Sequence, residues 1–135
     1  MSEVVIVAEN GQGRYQQAVH LGRHSLLADE PLSVGGADAG PAPFDFLMAG
    51  LGACTSMTLR MYAERKGLPL RAISVALSHR KIDIDGQSRD LITRQITLSG
   101  ELSAEQRQRL LEIAGKCPVH RALSQSIRLE QSLAE

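Results

Sequence analysis

Aromatic residues are scarce in this sequence, and no charge of one sign is in excess. Only 3% of the residues are Phe, Trp or Tyr, Trp is absent, and 15 Lys and Arg residues are matched by 15 Asp and Glu residues. Proteins that hold single-stranded nucleic acid or an anionic membrane use aromatic stacking platforms or a basic field. We therefore expect neither nucleic acid nor a membrane among the partners of this protein.

Long hydrophobic runs are also missing. No segment approaches the roughly 18 apolar residues of a membrane helix, and the first residues, MSEVVIVAEN, show neither the basic region nor the cleavage site of a secretion signal. We expect a cytoplasmic protein. Cysteine is limited to Cys54 and Cys117, and in a reducing compartment such a pair is seldom a structural disulfide. Redox chemistry, metal binding and simple burial remain as roles for these two residues.

The length and composition suit a single domain over residues 1–135. Of these 135 residues 43% are hydrophobic, which is enough to build a core without disulfide or metal support. Short apolar stretches separated by turn residues predict antiparallel strands near 3–8, 14–20 and 24–28.

A glycine-rich stretch, VGGADAG, follows the predicted strands. It matches neither a phosphate loop nor a dinucleotide-binding motif, so it is interpreted as a flexible connector. The adjacent acids Asp29 and Glu30 precede it, and we expect them to be solvated and without a role.

The rest of the chain predicts helices and one long hairpin. Residues 44–66 are apolar almost all round, which predicts a helix buried on every face, in the core of one chain or across a subunit interface. Evenly spaced apolar residues on both sides of a DG pair predict a β-hairpin. Ser103 and Gln106 have the spacing of a capping box at the start of an amphipathic helix that ends at Gly115. The alternating segment IRLEQSLA predicts a last strand.

The two cysteines lie on separate predicted helices, and the local pattern leaves their role open. Cys117 is expected at the N-cap of a short helix that begins with Pro118, where unpaired N–H groups favour a thiolate. Cys54 lies in an apolar run, where burial disfavours a thiolate. A pair of thiols can reduce a peroxide through a sulfenic acid and a disulfide, yet free cysteine is also a common inert core residue.

The motif CPVH places Cys117 and His120 at i and i+3, which raises the question of a zinc site with Cys54 as third ligand. A structural zinc site needs four ligands, and the other histidines lie in predicted strands without ligand spacing. We therefore expect no metal and no cofactor, and we expect His120 at the surface or beside the reactive residues.

The glycine-rich loop, the segment PAPFDFLMAGLGACTSMTLRMYAERKG and the late CPVHRAL together resemble the OsmC/Ohr superfamily of osmotically inducible and organic hydroperoxide resistance proteins, specifically its OsmC-like branch. The resemblance extends over nearly the whole chain. It implies an α+β OsmC-like fold in which antiparallel sheets pack around a long buried central helix. It also implies that two chains intertwine as an obligate homodimer.

The resemblance further implies a chemistry. Characterised members of the family are thiol-dependent peroxidases that prefer organic hydroperoxides, and one branch is recycled by dihydrolipoyl groups. By matching position, Cys54 would be the peroxidatic cysteine and Cys117 the resolving cysteine, joined after reaction by an intrachain disulfide. The expected function is an antioxidant peroxidase of the oxidative stress response. The alternative is a non-peroxidatic OsmC-like protein that binds a small hydrophobic ligand at the dimer cleft.

The sequence departs from the family pattern at one position. In organic hydroperoxide resistance proteins a glutamate directly after the loop proline orients an arginine over the reactive cysteine, but here Phe44 follows Pro43. The nearest acid is Asp45, which lies about 100° further around a helix. Arg14, in the first hairpin, is the positional candidate for the arginine. Asp45 and Arg14 are therefore the candidate supporting residues.

Overall fold

The computed structural model describes residues 4–134, and the chain packs as two compact units that divide after Leu47. Within the described residues, five strands and three α-helices follow one another in the order βββαββαα, and every strand pair is antiparallel. The predicted α+β class is confirmed, whereas the single domain over residues 1–135 stays a prediction. None of the helices found over residues 4–134 has the length and apolar character needed to cross a membrane.

The first unit contains a three-stranded antiparallel sheet in the order β1, β2, β3. The strands are β1 (Val5–Glu9), β2 (Gln17–Leu21) and β3 (His24–Ala28). Gly22, with a φ of 57°, turns the chain between β2 and β3. The three predicted strands are confirmed with shifted ends for the first two, and residue 3 of the first prediction lies outside the described residues.

The glycine-rich loop after β3 closes around the side chain of Asp29, so the prediction of a solvated acid beside a flexible connector is wrong. Asp29 is only 3% exposed, and its carboxylate accepts hydrogen bonds from the backbone N–H groups of Glu30, Ala37 and Ala39 at 2.8, 3.2 and 3.1 Å. A Cβ atom at Gly36 would lie 2.0 Å from the carbonyl oxygen of Glu30, so the backbone passes too closely for any other residue. The buried carboxylate organises the loop because it satisfies three backbone donors at once.

Helix α1 (Pro43–Lys66) occupies the predicted apolar run, but the single chain buries only one of its faces. The buried residues recur every four positions, at Leu51, Thr55, Leu59 and Ala63. On another face, Met57 and Met61 are 58% and 63% exposed. Helix α1 is therefore not buried on every face within one chain. Burial of its remaining faces at a subunit interface stays a prediction.

In the second unit, β4 (Leu70–Ile84) and β5 (Gln87–Gly100) form the predicted long hairpin. Asp85 and Gly86 join the two strands with positive φ angles of 52° and 80°, the conformation that a two-residue DG turn favours. The half-buried face of the hairpin packs against a core of buried residues, which are Leu59, Ala63, Leu70, Leu110, Ile113 and Ala114. The core of this unit therefore lies between the hairpin and the helices.

Two shorter helices end the described chain. Helix α2 (Ala104–Ala114) begins with the predicted capping box between Ser103 and Gln106, and α3 (Pro118–Ser124) follows it. The prediction of a last strand over IRLEQSLA is wrong, because residues 127–134 form neither helix nor strand and are exposed. Alternating apolar residues form a strand only where a neighbouring backbone pairs with them, and no such pairing occurs along this segment in the described chain.

Candidate active site

Cys117 lies at the N-cap of α3, as its sequence context predicted. Pro118 occupies the first turn, and the Cys117 sulfur accepts a hydrogen bond from the backbone N–H of His120 at 3.3 Å. The Cys117 side chain is completely buried. The sulfur satisfies one of the N–H groups that have no partner within the helix, which fixes its position.

Cys54 lies in the middle of α1 and is half-buried. Thr55, the next residue, belongs to the buried face of the helix, so Cys54 lies at the border of that face. The Cys54 thiol lies close enough to the Cys117 sulfur to lower the pKa of Cys117, and Thr55 Oγ1 lies 4.0 Å from the same sulfur. The fold therefore brings together the two cysteines of separate helices, and both are free thiols.

Burial and hydrogen bonding act in opposite directions on the ionisation of Cys117. Burial of the sulfur raises the pKa of the Cys117 thiol. The backbone N–H of His120, the Cys54 thiol, the Thr55 hydroxyl and the positive charge of Arg94 lower that pKa, and together they bring it below the ordinary value of a cysteine. The thiolate form is therefore easier to reach at Cys117 than at an unperturbed cysteine.

Arg94 joins this site, although it is not among the residues that the sequence pattern predicted. Its Nη1 donates to Thr55 Oγ1 at 2.8 Å and to the carbonyl oxygen of Ala114 at 3.3 Å, and its Nη2 donates to His120 Nδ1. The signal that could have revealed it is its place on β5, between two isoleucines of the half-buried face. A charged side chain on an apolar strand face requires partners.

His120 lies beside Cys117, to which its backbone N–H donates, and not at an isolated surface position. Burial lowers the pKa of His120, and the charge of Arg94 lowers it further. Since an arginine only donates hydrogen bonds, the His120 ring is neutral, accepts at Nδ1 and carries its proton on Nε2. Within residues 4–134, no group of three or more His, Cys, Asp and Glu side chains is placed to hold a metal ion.

Cys54 lines a groove of about 600 Å³ on the surface of the second unit, which we call the Cys54 groove. Residues of α1 form one side of it, and Ile113, Lys116 and Pro118 form the other. The lining is mainly apolar, with two basic side chains, Arg65 and Lys116. A small molecule in the Cys54 groove would meet Cys54 first, since Cys117 is completely buried.

Asp45 and Arg14 belong to the first compact unit and have local partners there. Asp45 Oδ2 accepts a hydrogen bond from the backbone N–H of Ala42 at 2.9 Å, at the start of α1. The Arg14 guanidinium lies over the Tyr15 ring, 4.9 Å from the ring centroid. Their roles as supporting residues of a cysteine site stay predictions.

Comparison with known proteins identifies the family. The model of the OsmC-like protein family matches residues 35–132, and no curated protein sequence matches the chain significantly. Among solved structures, an OsmC-like protein from Mycoplasma pneumoniae is similar with a TM-score of 0.72 at 17% identity, over 92% of this chain and 89% of that chain.

Two further similar structures carry a functional name. An organic hydroperoxide resistance protein OsmC from Legionella pneumophila has a TM-score of 0.68 at 20% identity, over 90% of this chain and 89% of that one. An organic hydroperoxide resistance protein from Elizabethkingia anophelis has a TM-score of 0.63 at 21% identity, over 90% of each chain. At such identities the structures show a common fold. Because the family model matches most of the sequence, the chain belongs to the OsmC-like family.

Proposed function

We propose that the protein is a cysteine-based, thiol-dependent peroxidase that reduces organic hydroperoxides. The observation that carries this proposal is the proximity of Cys54 and Cys117, two free thiols from separate helices. Two neighbouring thiols can form the disulfide that makes a thiol peroxidase recyclable. The names of two similar structures, both organic hydroperoxide resistance proteins, support the same chemistry.

Cys54 is the attacking residue in this proposal, because it lines the Cys54 groove while Cys117 is completely buried. The Cys54 sulfur attacks the terminal oxygen of the hydroperoxide, the O–O bond breaks, and the remaining oxygen leaves as an alcohol after taking up a proton. Cys54 is then a sulfenic acid. The Cys117 sulfur attacks the Cys54 sulfur, which forms an intrachain disulfide and releases water. A dithiol such as a dihydrolipoyl group reduces the disulfide and becomes a disulfide itself.

The lining of the Cys54 groove favours a hydroperoxide with a hydrocarbon body over hydrogen peroxide. Met57, Met61 and Ile113 contribute apolar side chains to it, and its volume is in the range of small-molecule sites. The same groove supports the second candidate function, in which the protein binds a small hydrophobic ligand without reducing a peroxide.

We also propose that the chain, as a single OsmC-like domain over residues 1–135, forms an obligate homodimer in the cytoplasm. Apolar side chains are exposed along β1, where Val5, Ile6 and Val7 are 53–57% exposed, and along α1 at Met57 and Met61. Exposed apolar side chains that recur along an element mark an interaction surface. A second copy covers them in this assembly. Two free thiols suit a reducing compartment.

The test is consumption of cumene hydroperoxide by the reduced protein with dihydrolipoamide as the recycling dithiol. We expect turnover that Cys54→Ser abolishes, and mass spectrometry of the oxidised protein should find a Cys54–Cys117 disulfide. Cys117→Ser should reduce one equivalent of peroxide and then accumulate overoxidised Cys54. Ser56→Ala, on the same helix, is the matched control and should keep wild-type turnover.

A wild-type rate no faster than that of Cys54→Ser, with both thiols still titratable after excess peroxide, would contradict the peroxidase. Retention of a hydrophobic molecule through purification would then support the second candidate function.

A further inference from the structure

Arg94 has no role in the reaction as proposed so far, yet it is the most constrained charged side chain near the two thiols. It lies on the half-buried face of β5, opposite Leu77 in the hairpin register. A cation on an apolar face costs free energy unless acceptors surround it. The acceptors that surround Arg94 therefore explain how its charge is tolerated on this face.

Each acceptor of Arg94 adjoins a cysteine in the sequence or in space. Thr55, which accepts at 2.8 Å, directly follows Cys54, and His120 follows Cys117 by three residues. The Ala114 carbonyl oxygen, 3.3 Å from Nη1, ends the helix before Cys117. These contacts hold the guanidinium between the two segments that carry the thiols.

The hydroxyl of Thr55 lowers the pKa of Cys117 by hydrogen bonding only in an orientation that gives up its short hydrogen bond to Leu51. Thr55 Oγ1 donates its one proton to the carbonyl oxygen of Leu51 at 2.7 Å, whereas the Cys117 sulfur is 4.0 Å away. In this orientation the groups that face Cys117 with positive charge or a proton are the His120 N–H, the Cys54 thiol and the Arg94 guanidinium. Of these, Arg94 is the one full charge.

His120 has two separate contacts at this site. Its backbone N–H donates to the Cys117 sulfur at 3.3 Å, and its neutral ring accepts from Arg94 at Nδ1. The ring therefore anchors the end of the guanidinium that Thr55 and Ala114 do not hold.

We propose that Arg94 stabilises a thiolate on Cys117, and that His120 is a positioning residue that fixes the Arg94 guanidinium for this purpose. A thiolate on Cys117 does not require the protein to be a peroxidase. The consequence of this thiolate for catalysis rests on the function proposed above. The charge is then on the buried Cys117 sulfur, and Cys54 beside it lines the Cys54 groove.

The consequence for the proposed reaction is a path for one proton. The Cys54 sulfur forms an S–O bond with the terminal peroxide oxygen, and the O–O bond breaks. At the same time the proton of the Cys54 thiol passes to the Cys117 thiolate and from there to the departing alkoxide. Cys117 is then again a thiolate. It attacks the Cys54 sulfenic sulfur, forms the S–S bond and releases hydroxide.

The experiment titrates Cys117 by thiolate ultraviolet absorbance against pH in the Cys54→Ser protein, in which Cys117 is the remaining cysteine. We expect Arg94→Gln to lower the thiolate fraction at neutral pH by roughly tenfold or more, since it removes a full opposite charge. Arg94→Lys should retain most of that fraction. Arg107→Gln is the matched control, because Arg107 also donates to two carbonyl oxygens, those of Leu98 and Gly100, at 3.1 and 3.2 Å.

The positioning role of His120 is tested by a rescue in the same assay. His120→Phe removes the ring acceptor and should lower the thiolate fraction in the direction of Arg94→Gln. His120→Asn, whose side-chain oxygen can accept from Arg94, should restore it. A purely structural role would not distinguish the two variants when both are equally folded.

A Cys117 titration that Arg94→Gln leaves unchanged would overturn the proposal. If Arg94→Gln does not fold, the His120 variants decide the proposal. A Cys117 titration that both His120→Phe and His120→Asn leave unchanged would overturn it. If the titrations shift as expected while the protein with both cysteines shows no peroxide turnover, the peroxidase is refuted and this inference is left intact.

Discussion

At the scale of single residues, one step along a helix separates a side chain that lines a groove from one that is completely buried. Cys54 lines an open groove, while Thr55 beside it is completely buried. In α2, Leu110 is completely buried and Leu111 is 58% exposed. Successive helical side chains point about 100° apart, so neighbours of similar chemistry have different environments. Cys54 can therefore be accessible on a helix whose adjacent face is part of the core.

The leucine pair gives a direct test of this contrast. Leu110→Ala should lower the free energy of unfolding by about 2–5 kcal/mol, because it leaves a cavity in the core. Leu111→Ala should change it by less than about 1 kcal/mol. Urea unfolding followed by circular dichroism measures both variants, and equal losses would contradict the burial of Leu110.

At the scale of elements, the loop after β3 is stabilised by side-chain hydrogen bonds, whereas the turn between β4 and β5 is stabilised by its backbone conformation. The loop after β3 depends on a buried carboxylate, because Asp29 accepts from three backbone N–H groups. The turn between β4 and β5 depends on backbone conformation, because Gly86 has a φ of 80° and open space around it.

Asp29 should make the first unit sensitive to acid. The N–H of Ala39 lowers the pKa of Asp29 most strongly, burial opposes this effect, and the N–H groups of Glu30 and Ala37 lower the pKa further, so the net direction is below 3.8. A carboxyl whose pKa is lower when folded stabilises the fold at neutral pH, and this stabilisation is lost as the pH falls below 3.8 and through the folded pKa.

The measurement is thermal unfolding from neutral pH to acid for wild type, Asp29→Asn and the control Glu30→Gln. Asp29→Asn should be less stable at neutral pH, since its amide nitrogen cannot accept from the backbone donors, and should approach wild type in acid. Glu30→Gln should follow wild type throughout. A constant difference between wild type and Asp29→Asn at every pH would argue against a role for the charge.

Gly86 and Gly50 form a second matched pair. Neither has an atom within 4 Å of the position of an added Cβ, but only Gly86 has a positive φ. Gly86→Ala should cost about 1–2 kcal/mol of the free energy of unfolding, because an L side chain is strained in the left-handed region. Gly50→Ala, inside α1, should be neutral or stabilising by up to about 1 kcal/mol. Chemical denaturation compares them, and equal effects would rule out conformational strain at Gly86.

At the scale of the whole molecule, one chain leaves much apolar surface in water. Strand β1 is exposed along its length, and α1 exposes a face that includes Met57 and Met61. Folding does not remove this surface from water, so association is the remaining means of burying it. The proposed homodimer would remove this surface from water.

Sedimentation equilibrium should find twice the chain mass of 14.6 kDa at micromolar concentration. Met61→Lys should weaken the dimer, because it places a charge on the exposed apolar face of α1. Glu101→Lys, at an exposed position outside α1, is the control and should leave the mass unchanged. A wild-type mass of one chain would refute the obligate homodimer.

Features that depend on residues close together in the sequence were predicted correctly, whereas a strand that depends on a distant partner was not. The helix from residue 44 to 66, the hairpin around Asp85 and Gly86 and the N-cap at Cys117 depend on periodicity and on turn and cap chemistry within a few residues. All three are found in the structure. The strand expected at residues 127–134 needs a partner backbone, which a local pattern cannot supply.

Motifs and the supply of thiols were enough to predict the family, the α+β class and the two residues that could carry redox chemistry. The proximity of Cys54 and Cys117, the position of Arg94 beside Thr55 and the burial of Asp29 became visible only in the folded chain. Each of these facts depends on side chains from elements far apart in the chain. Such contacts are set by packing, which no periodicity or spacing encodes.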